Sequence, residues 1–434
     1  MTNILIAMAL FGVMLIGGLW IPFAIGLTSL VYIYLVQGPF GMNAIGFIAW
    51  DATNSFTLTA IPLFILLAEL LIRSGVATRV YDGLSRMVRF LPGGLLQTNI
   101  AGCAVFSAIS GSSVATAAGI GSVAMPQLLA RGYSRPMAAG SLAAGGTLGI
   151  LIPPSIAMIV YGSFTETSVA QLFFAGLIPG LMMAGLFMLY IGIRAILVPS
   201  VAPRETVEEG DHIPALSWRT AADILPFAVL IGLTLGSIYQ GIVTPTEAAA
   251  FGCVVTLLIA AIWGKFNFTV LRESLRAAMI TSASLMFIIL SAHFFAYAVS
   301  VDGLGQRLTD TLLGMDLSKT QLLFAIVVLF LVMGCFVEAI GIMVITLPVL
   351  YPVLTGFGID LVWFGVMMVI LIEIGQLTPP LGINIFVIQG IWDGRLPEVI
   401  RGVVPFFFLM LLALALVWIF PDIATYLPRN ITSR

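Results

Sequence analysis

The stretch GTLGILIPPSIAMIVYG, residues 146–162, reads as membrane helix on both sides of an adjacent proline pair, Pro153-Pro154. Two prolines in a row remove two backbone donors, and the second pushes its predecessor out of helical geometry. Carbonyls freed in this way are costly in hydrocarbon, where no water can satisfy them. The break is therefore either a loop in water or a device, and the rest of the chain decides between the two.

The 434 residues are 60% hydrophobic and 9% charged, against about 25% charged in ordinary soluble proteins. This composition predicts an all-α, multispan membrane protein. A net charge of −2 leaves no electrostatic footprint for nucleic acid. Cys103, Cys253 and Cys335 sit in apolar surroundings without metal-ligand spacing and read as packed thiols. His212 and His293 are too few and too far apart for haem or quinone chemistry. The first stretch, Asn3 to Val36, has no basic start and is too long for a cleaved signal; Trp20 and Pro22 predict two retained helices within it.

Apolar windows of about 20 residues recur, from Asn3–Leu19 to Val403–Phe420. The most polar run, VAPRETVEEGDHIPALSWRT at 201–220, reads as a solvated linker or arm between two halves. The halves match at a constant offset: Pro126 with Pro352, Gly132 with Gly358, Gly149 with Gly375, and Pro153-Pro154 with Pro379-Pro380. Single glycine matches are cheap in a glycine-rich chain. A diproline and three further positions in one register are an internal repeat.

The repeats carry opposite charge. Arg73, Arg79, Arg86, Arg89, Arg131 and Arg135 flank the first polar break against Asp82, whereas Arg307 and Lys319 flank the second against Asp302, Asp310, Asp316 and Asp360. Excess Lys and Arg favours the cytoplasmic side. Both ends of the first segment are then cytoplasmic and both ends of the second external, which predicts two re-entrant helical hairpins of opposite orientation, each followed by a discontinuous helix. Inverted repeats of this kind mark secondary transporters. The chain divides into N-terminal scaffold helices at 1–55; a first repeat at 56–200, with a hairpin at about 90–130 and a broken helix at 149–155; the polar arm at 201–220; scaffold helices at 221–276; a second repeat at 277–400, with a hairpin at about 320–355 and a broken helix at 375–381; and a C-terminal helix and tail at 401–434.

A helix interrupted at mid-membrane offers carbonyl oxygens from its first half to a hard cation such as Na+, and N–H groups from its second half to a carboxylate. Ser155 follows the first diproline and Asn384 the second, each placed to face an anion. The compact polar tip Ser110-Gly-Ser-Ser113 is suited to meet such a break. The small-residue runs AAGIGS and AAGGTLG read as close helix packing. Ionisable residues in apolar segments are functional candidates, here Glu69, His293, Glu338 and Glu373. Glu373 is placed to brace the second break or neutralise a cation. Thr244-Pro-Thr-Glu247 reads instead as a capping box, and the Arg-rich 73–89 as a solvated loop. No phosphate-binding loop surrounds Lys265 or Lys319, no His-Glu-x-x-His run exists, and no charged ring or repeated filter marks a channel. An ion gradient or a partner ATPase must then supply the energy.

The stretch SAISGSSVATAAGIGSVAMPQLLARGYSRPMAAGSLAAGGTLGILIPPSIAMIVYG (107–162) closely resembles the large membrane subunit of the tripartite ATP-independent periplasmic (TRAP) transporters, the DctM-like family. FTETSVAQLFFAGLIPG (164–180), TPTEAAAFG (244–252) and EIGQLTPPLGINIFV (373–387) carry the resemblance through nearly the whole chain. It implies an elevator-type transporter of the bacterial inner membrane, in which a transport domain with two hairpins moves against a fixed scaffold. It also implies Na+ as coupling ion, a small four-helix membrane subunit, and a periplasmic binding protein that delivers a carboxylate-bearing organic acid such as a C4-dicarboxylate or sialic acid. The four small-subunit helices of fused relatives have no counterpart before the first repeat, so a separate partner is expected. Carried over by position, sodium ligands fall on Ser107, Ser110, Gly149, Ile152 and Pro153 in the first half, and on Gly334, Gly375, Thr378 and Leu381 in the second. Substrate contacts are expected at Ser110, Ser113, Ser155 and Asn384. A stand-alone dicarboxylate carrier and an anion channel are the alternatives.

Overall fold

The computed structural model describes residues 2–88, 90–203, 218–392 and 394–431, and every regular element among them is helical. Most of the polar arm, including His212, lies outside the described residues. Gly18 in a left-handed turn and Pro22 split the first apolar run into α1 (Thr2–Ile16) and α2 (Ile21–Gln37), and a 3-10 turn leads into α3 (Ile45–Thr53).

Helix α4 (Ala60–Arg73) bends by 70° into α5 (Val76–Val88) at left-handed Gly75. The Arg-rich stretch expected as a loop is thus helical through Val88. Val76, Ala77, Val80, Tyr81 and Leu84 recur at helical spacing and are buried, while Arg79 is exposed. The charge that suggested solvent occupies only one side of this helix. Arg86 reaches Asp223 on α11 (Trp218–Tyr239) at 2.8 Å.

A helical hairpin follows: α6 (Leu95–Ser110) and α7 (Ser113–Ala130), turning at left-handed Gly111. Its open ends are tied where the Leu95 N–H donates to the Tyr133 hydroxyl at 3.2 Å. Gly132, also left-handed, feeds the chain into α8 (Arg135–Leu151). Residues 152–155 interrupt the helix before α9 (Ile156–Thr165), and Ser168 caps α10 (Val169–Leu197). Helix α12 (Pro245–Trp263) opens with the expected capping box: the Thr244 N–H donates to the Glu247 carboxylate at 2.8 Å, and the Thr244 hydroxyl accepts from the Glu247 N–H at 3.3 Å. Helix α13 (Phe268–Asp302) runs 35 residues, starting well before its apolar window, and stops at left-handed Gly303 ahead of α14 (Leu304–Gly314).

The second half repeats the plan. Helices α15 (Lys319–Gly334) and α16 (Ala339–Gly356) form a hairpin whose open ends are tied by Lys319 Nζ donating to the Gly358 carbonyl at 3.3 Å. Gly358, the partner of Gly132 in the repeat, is likewise left-handed. Then come α17 (Leu361–Gln376), a break at 377–382, α18 (Ile383–Ile391), α19 (Leu396–Ile419) and α20 (Asp422–Ile431).

The two helices before the breaks form the centre. From Met137 to Leu151 every residue of α8 is buried, and so is every residue of α17 from Trp363 to Gln376. Apart from Glu373 and Gln376, both stretches are apolar or small on all sides, which permits this central position. Helix α8 meets α19 backbone to backbone, because a Cβ on Gly140 or Gly402 would fall on the other helix's main-chain atoms. Nine helices or helical stretches among the described residues are long and apolar enough to cross a bilayer. Helices α6, α15 and α17, at 16 residues each, rise only about 24 Å, short of a hydrocarbon core of roughly 30 Å.

Candidate functional site

In a continuous helix the carbonyl of residue i takes the N–H of residue i+4. Pro153 and Pro154 stand at the donor positions for Gly149 and Ile150 and have no N–H to give. The Ile150 carbonyl instead accepts the Ser155 hydroxyl at 2.6 Å, and the same hydroxyl accepts the Met158 N–H at 3.2 Å, capping α9. Ser155 is fully buried, and its hydroxyl engages its own backbone. Gly149 lies against the first hairpin tip. A Cβ there would stand 2.5 Å from the Ser112 carbonyl oxygen and 2.7 Å from Thr116 Oγ1. Thr116 Oγ1 is 2.5 Å from Ser110 Oγ. The Ile156 N–H, just past the proline pair, donates to the tip carbonyl of Gly111 at 3.2 Å. Ser107 sits one turn behind, its hydroxyl donating to the Cys103 carbonyl at 2.5 Å and its carbonyl accepting the Gly111 N–H at 3.4 Å. Ile152 packs on Gly180 of α10.

The second break follows the same design. A Cβ on Gly375 would stand 2.6 Å from Gly334 Cα, and one on Gly334 would stand 2.7 Å from Gly375 Cα. The Thr378 hydroxyl donates to the Ile374 carbonyl at 2.7 Å, and its N–H donates to the Gly375 carbonyl at 3.0 Å. The Leu381 N–H donates to the hairpin carbonyl of Cys335 at 3.3 Å. Both diproline bonds are cis. One difference separates the halves: Pro153 and Pro154 are buried, whereas Pro379, Pro380 and Leu381 are exposed.

The halves also interlock. Asn384, in the first turn of α18, donates from Nδ2 to Ser113 Oγ at 2.6 Å and to the Ala143 carbonyl at 3.3 Å. A second-half side chain thereby holds the first hairpin and the first pre-break helix together. In the other direction the Tyr161 hydroxyl of α9 donates to the Leu361 carbonyl of α17 at 2.7 Å. Asn384 Oδ1 is buried without a hydrogen-bond partner among the described residues.

A cavity of about 540 Å³ opens beside this assembly, within the roughly 300–1,000 Å³ range of small-molecule sites. Ser110 and Ser113 of the first tip line it, as do Glu338 of the second tip and Gln376 and Ile383 across the second break. Its far wall comes from Glu69 and Arg73 of α4 and Thr281 of α13. Along α7 it reaches Ser122, about 13 Å of helix from Ser113. Of the residues singled out from the sequence, Ser110, Ser113, Glu69 and Glu338 line the cavity. Gly149 and the Gly334, Gly375 and Thr378 group lie behind the tips, and Asn384 reaches the wall through Ser113.

Residues not foreseen are Thr116, Gln376, Arg73 and Thr281. Thr116 belongs to the polar run at the tip, but its role follows only from the helical turn that returns it to Ser110. Glu373 is fully buried in α17 with neither carboxylate oxygen partnered among the described residues. His293 shares its Nδ1 with the Ile289 carbonyl at 2.9 Å and packs on Phe164, ring centroids 4.6 Å apart.

An apolar multi-helix body with two hairpins, each meeting a broken helix beside a ligand-sized cavity, defines a polytopic membrane transport protein. A family model described as tripartite ATP-independent periplasmic transporter, DctM component, matches residues 8–423. The chain belongs to this family of TRAP large permeases and is a multi-pass protein of the inner membrane. It is 34% identical over 410 residues to the C4-dicarboxylate TRAP transporter large permease protein DctM of Pseudomonas aeruginosa, covering 94% of each chain. It is 32% identical over 438 residues to the ectoine TRAP transporter large permease protein TeaC of Halomonas elongata, covering 100% of each. Among solved structures, the Alcanivorax borkumensis YdaH transporter aligns with a TM-score of 0.65 at 16% identity, covering 92% of this chain and 97% of that one. The likeness to YdaH concerns the fold alone.

Proposed function

We propose that this chain is the large membrane subunit of a Na+-driven importer for a carboxylate-bearing organic acid, a C4-dicarboxylate, sialic acid or similar. It works with a separate small four-helix subunit and a periplasmic binding protein, and the hairpins and broken helices move as one body against α2, α4, α12 and α13. The observation that carries this reading is the paired contact of break and tip. In each half a glycine one turn before the diproline touches a hairpin tip, and an N–H just after it bonds to a tip carbonyl. Each contact gathers main-chain and hydroxyl oxygens, the donor set of a hard cation. On the first side these are Ser110 Oγ, Thr116 Oγ1 and the Ser112 carbonyl beside Gly149; on the second they are the carbonyls around Gly375 with Thr378. Between the two clusters the N-terminus of α7, capped by Ser112, points its dipole at the cavity, as suits a carboxylate. The first arm of each hairpin, α6 and α15, is shorter than the hydrocarbon core, as fits segments that enter and leave on one face. The Arg73 side of the cavity adjoins the arginine-bearing α5, which the positive-inside bias places toward the cytoplasm; on this reading the conformation is inward-facing.

Transport in proteoliposomes tests the proposal. Uptake driven by an imposed Na+ gradient is expected only when the small subunit and the loaded binding protein are both present. Uptake by the large subunit alone would establish a stand-alone carrier instead, and a current without saturation would establish a channel. Ser110→Ala and Thr378→Val are each expected to raise the Na+ concentration for half-maximal uptake about tenfold, the effect of roughly 1.4 kcal/mol at one ligand. An unchanged Na+ dependence in both variants would remove sodium from these positions.

A further inference from the structure

Arg73 is the one cation among the described side chains that line the cavity. Its Nε donates to Glu69 at 2.8 Å and its Nη1 to Glu273 of α13 at 3.3 Å. Two carboxylates from two helices thereby fix the direction of the guanidinium and leave it further N–H donors. Stability gives little reason for the cluster, because the side chains of Arg73, Glu69 and Glu273 are 36%, 24% and 56% exposed, and pairs this wet contribute little. The position of Arg73 is more telling. Its neighbour Ile72 lies across from α7, where a Cβ on Gly119 would meet Ile72 Cγ1 at 3.8 Å. Arg73 thus stands at the wall roughly 9 Å of helix beyond Ser113, on the side where α4 bends into α5. Apart from this cluster, the one other ionisable side chain on the lining among the described residues is Glu338 of the second tip.

We propose that Arg73 is a second anion contact of this cavity, receiving the charged group of the substrate between the Ser113 tip and the cytoplasmic mouth. The planar fork of a guanidinium suits a carboxylate or sulfonate. Glu69 and Glu273 compete with the incoming group, so the contact is weak and reversible, as an exit path requires. This inference rests on the reading of the cavity as the substrate site, and its test does not depend on knowing the substrate.

Ser122, exposed on the lining with its hydroxyl donating to the Gly119 carbonyl at 2.9 Å, takes a reporter thiol. The Ser122→Cys chain, assembled with its partner subunit in inside-out vesicles, is reacted with two methanethiosulfonates of similar size, 2-sulfonatoethyl (anionic) and 2-trimethylammonioethyl (cationic). The chain without this substitution supplies the background of the native thiols. Arg73→Gln is expected to lower the anionic-to-cationic rate ratio about tenfold. Arg73→Lys should hold it within about twofold, and Glu69→Gln should raise it. A ratio unmoved by Arg73→Gln, a lysine variant that behaves like the glutamine one, or a reporter that reacts with neither reagent would each overturn the proposal. Absence of organic-acid uptake in liposomes would overturn the functional reading instead, and the reagent ratio would still judge Arg73.

Discussion

Gly375→Ala is expected to cut substrate uptake by about a hundredfold or more while leaving expression, subunit assembly and the monodisperse elution of the complex intact. The added Cβ would stand 2.6 Å from Gly334 Cα and 3.1 Å from the Gly334 carbonyl carbon. Both are main-chain atoms, so no flexible side chain can yield, and the second tip must retreat from the second break by a sizeable fraction of an ångström. That retreat pulls Cys335 from the Leu381 N–H and opens the oxygen cluster around Thr378. In a site that works by positioned groups, a misplacement near 1 Å costs about 10²-fold. Gly149→Ala should behave alike, since its Cβ would meet the Ser112 carbonyl. Gly390, on α18 but with nothing within 4 Å of a built Cβ, is the matched control and should tolerate alanine. Normal uptake in both Gly149→Ala and Gly375→Ala would reduce the two breaks to packing kinks.

What the sequence made legible was whatever local backbone chemistry dictates. Two prolines in a row must end a helix, so the breaks at Pro153-Pro154 and Pro379-Pro380 were visible before any coordinates. Gly132 and Gly358 were visible as partners because both supply the left-handed turn from a hairpin into the next helix. The capping box of Thr244 and Glu247 was equally local. Two kinds of feature were hidden. The first are charged helical turns: Arg272, Glu273 and Arg276 masked the opening of α13, and the arginines of α5 masked a helix whose apolar face had a clear period. Hydropathy windows average over charge, whereas a helix needs only one apolar face. The second are contacts that exist only after distant segments meet. Nothing near Thr116 says that it will pair with Ser110, and nothing near Arg73 says that α13 will bring it Glu273. Ser155 was legible as the residue opening α9, but the Ile150 carbonyl that takes its hydroxyl becomes available only once the chain folds back at the prolines.

The link between the halves gives the second large effect. Asn384→Ala is expected to lower uptake about thirtyfold, corresponding to roughly 2 kcal/mol for a buried amide hydrogen bond and the unsatisfied groups left behind. Ser113→Ala should lower it by about tenfold, and the double variant should be no worse than Asn384→Ala alone. That non-additivity follows if the 2.6 Å bond between them is what each single change removes. Fully additive losses would mean that the two residues act separately. Asn384→Asp should fall below Asn384→Ala. It replaces the donor to Ser113 with a carboxylate beside the N-terminal end of α7, where an anionic substrate would have to approach. The reason to expect large effects from one amide lies in the topology. The second half reaches the first tip through Asn384, so a tip released from Asn384 can open without the second break moving. A carrier whose two ion clusters must arrive together cannot leave that joint loose. Uptake and Na+ dependence measured on the same Asn384→Ala complex decide the point: a lost joint should lower the Hill slope for Na+ as well as the rate, and a rate that falls with an unchanged slope would assign Asn384 to substrate contact alone.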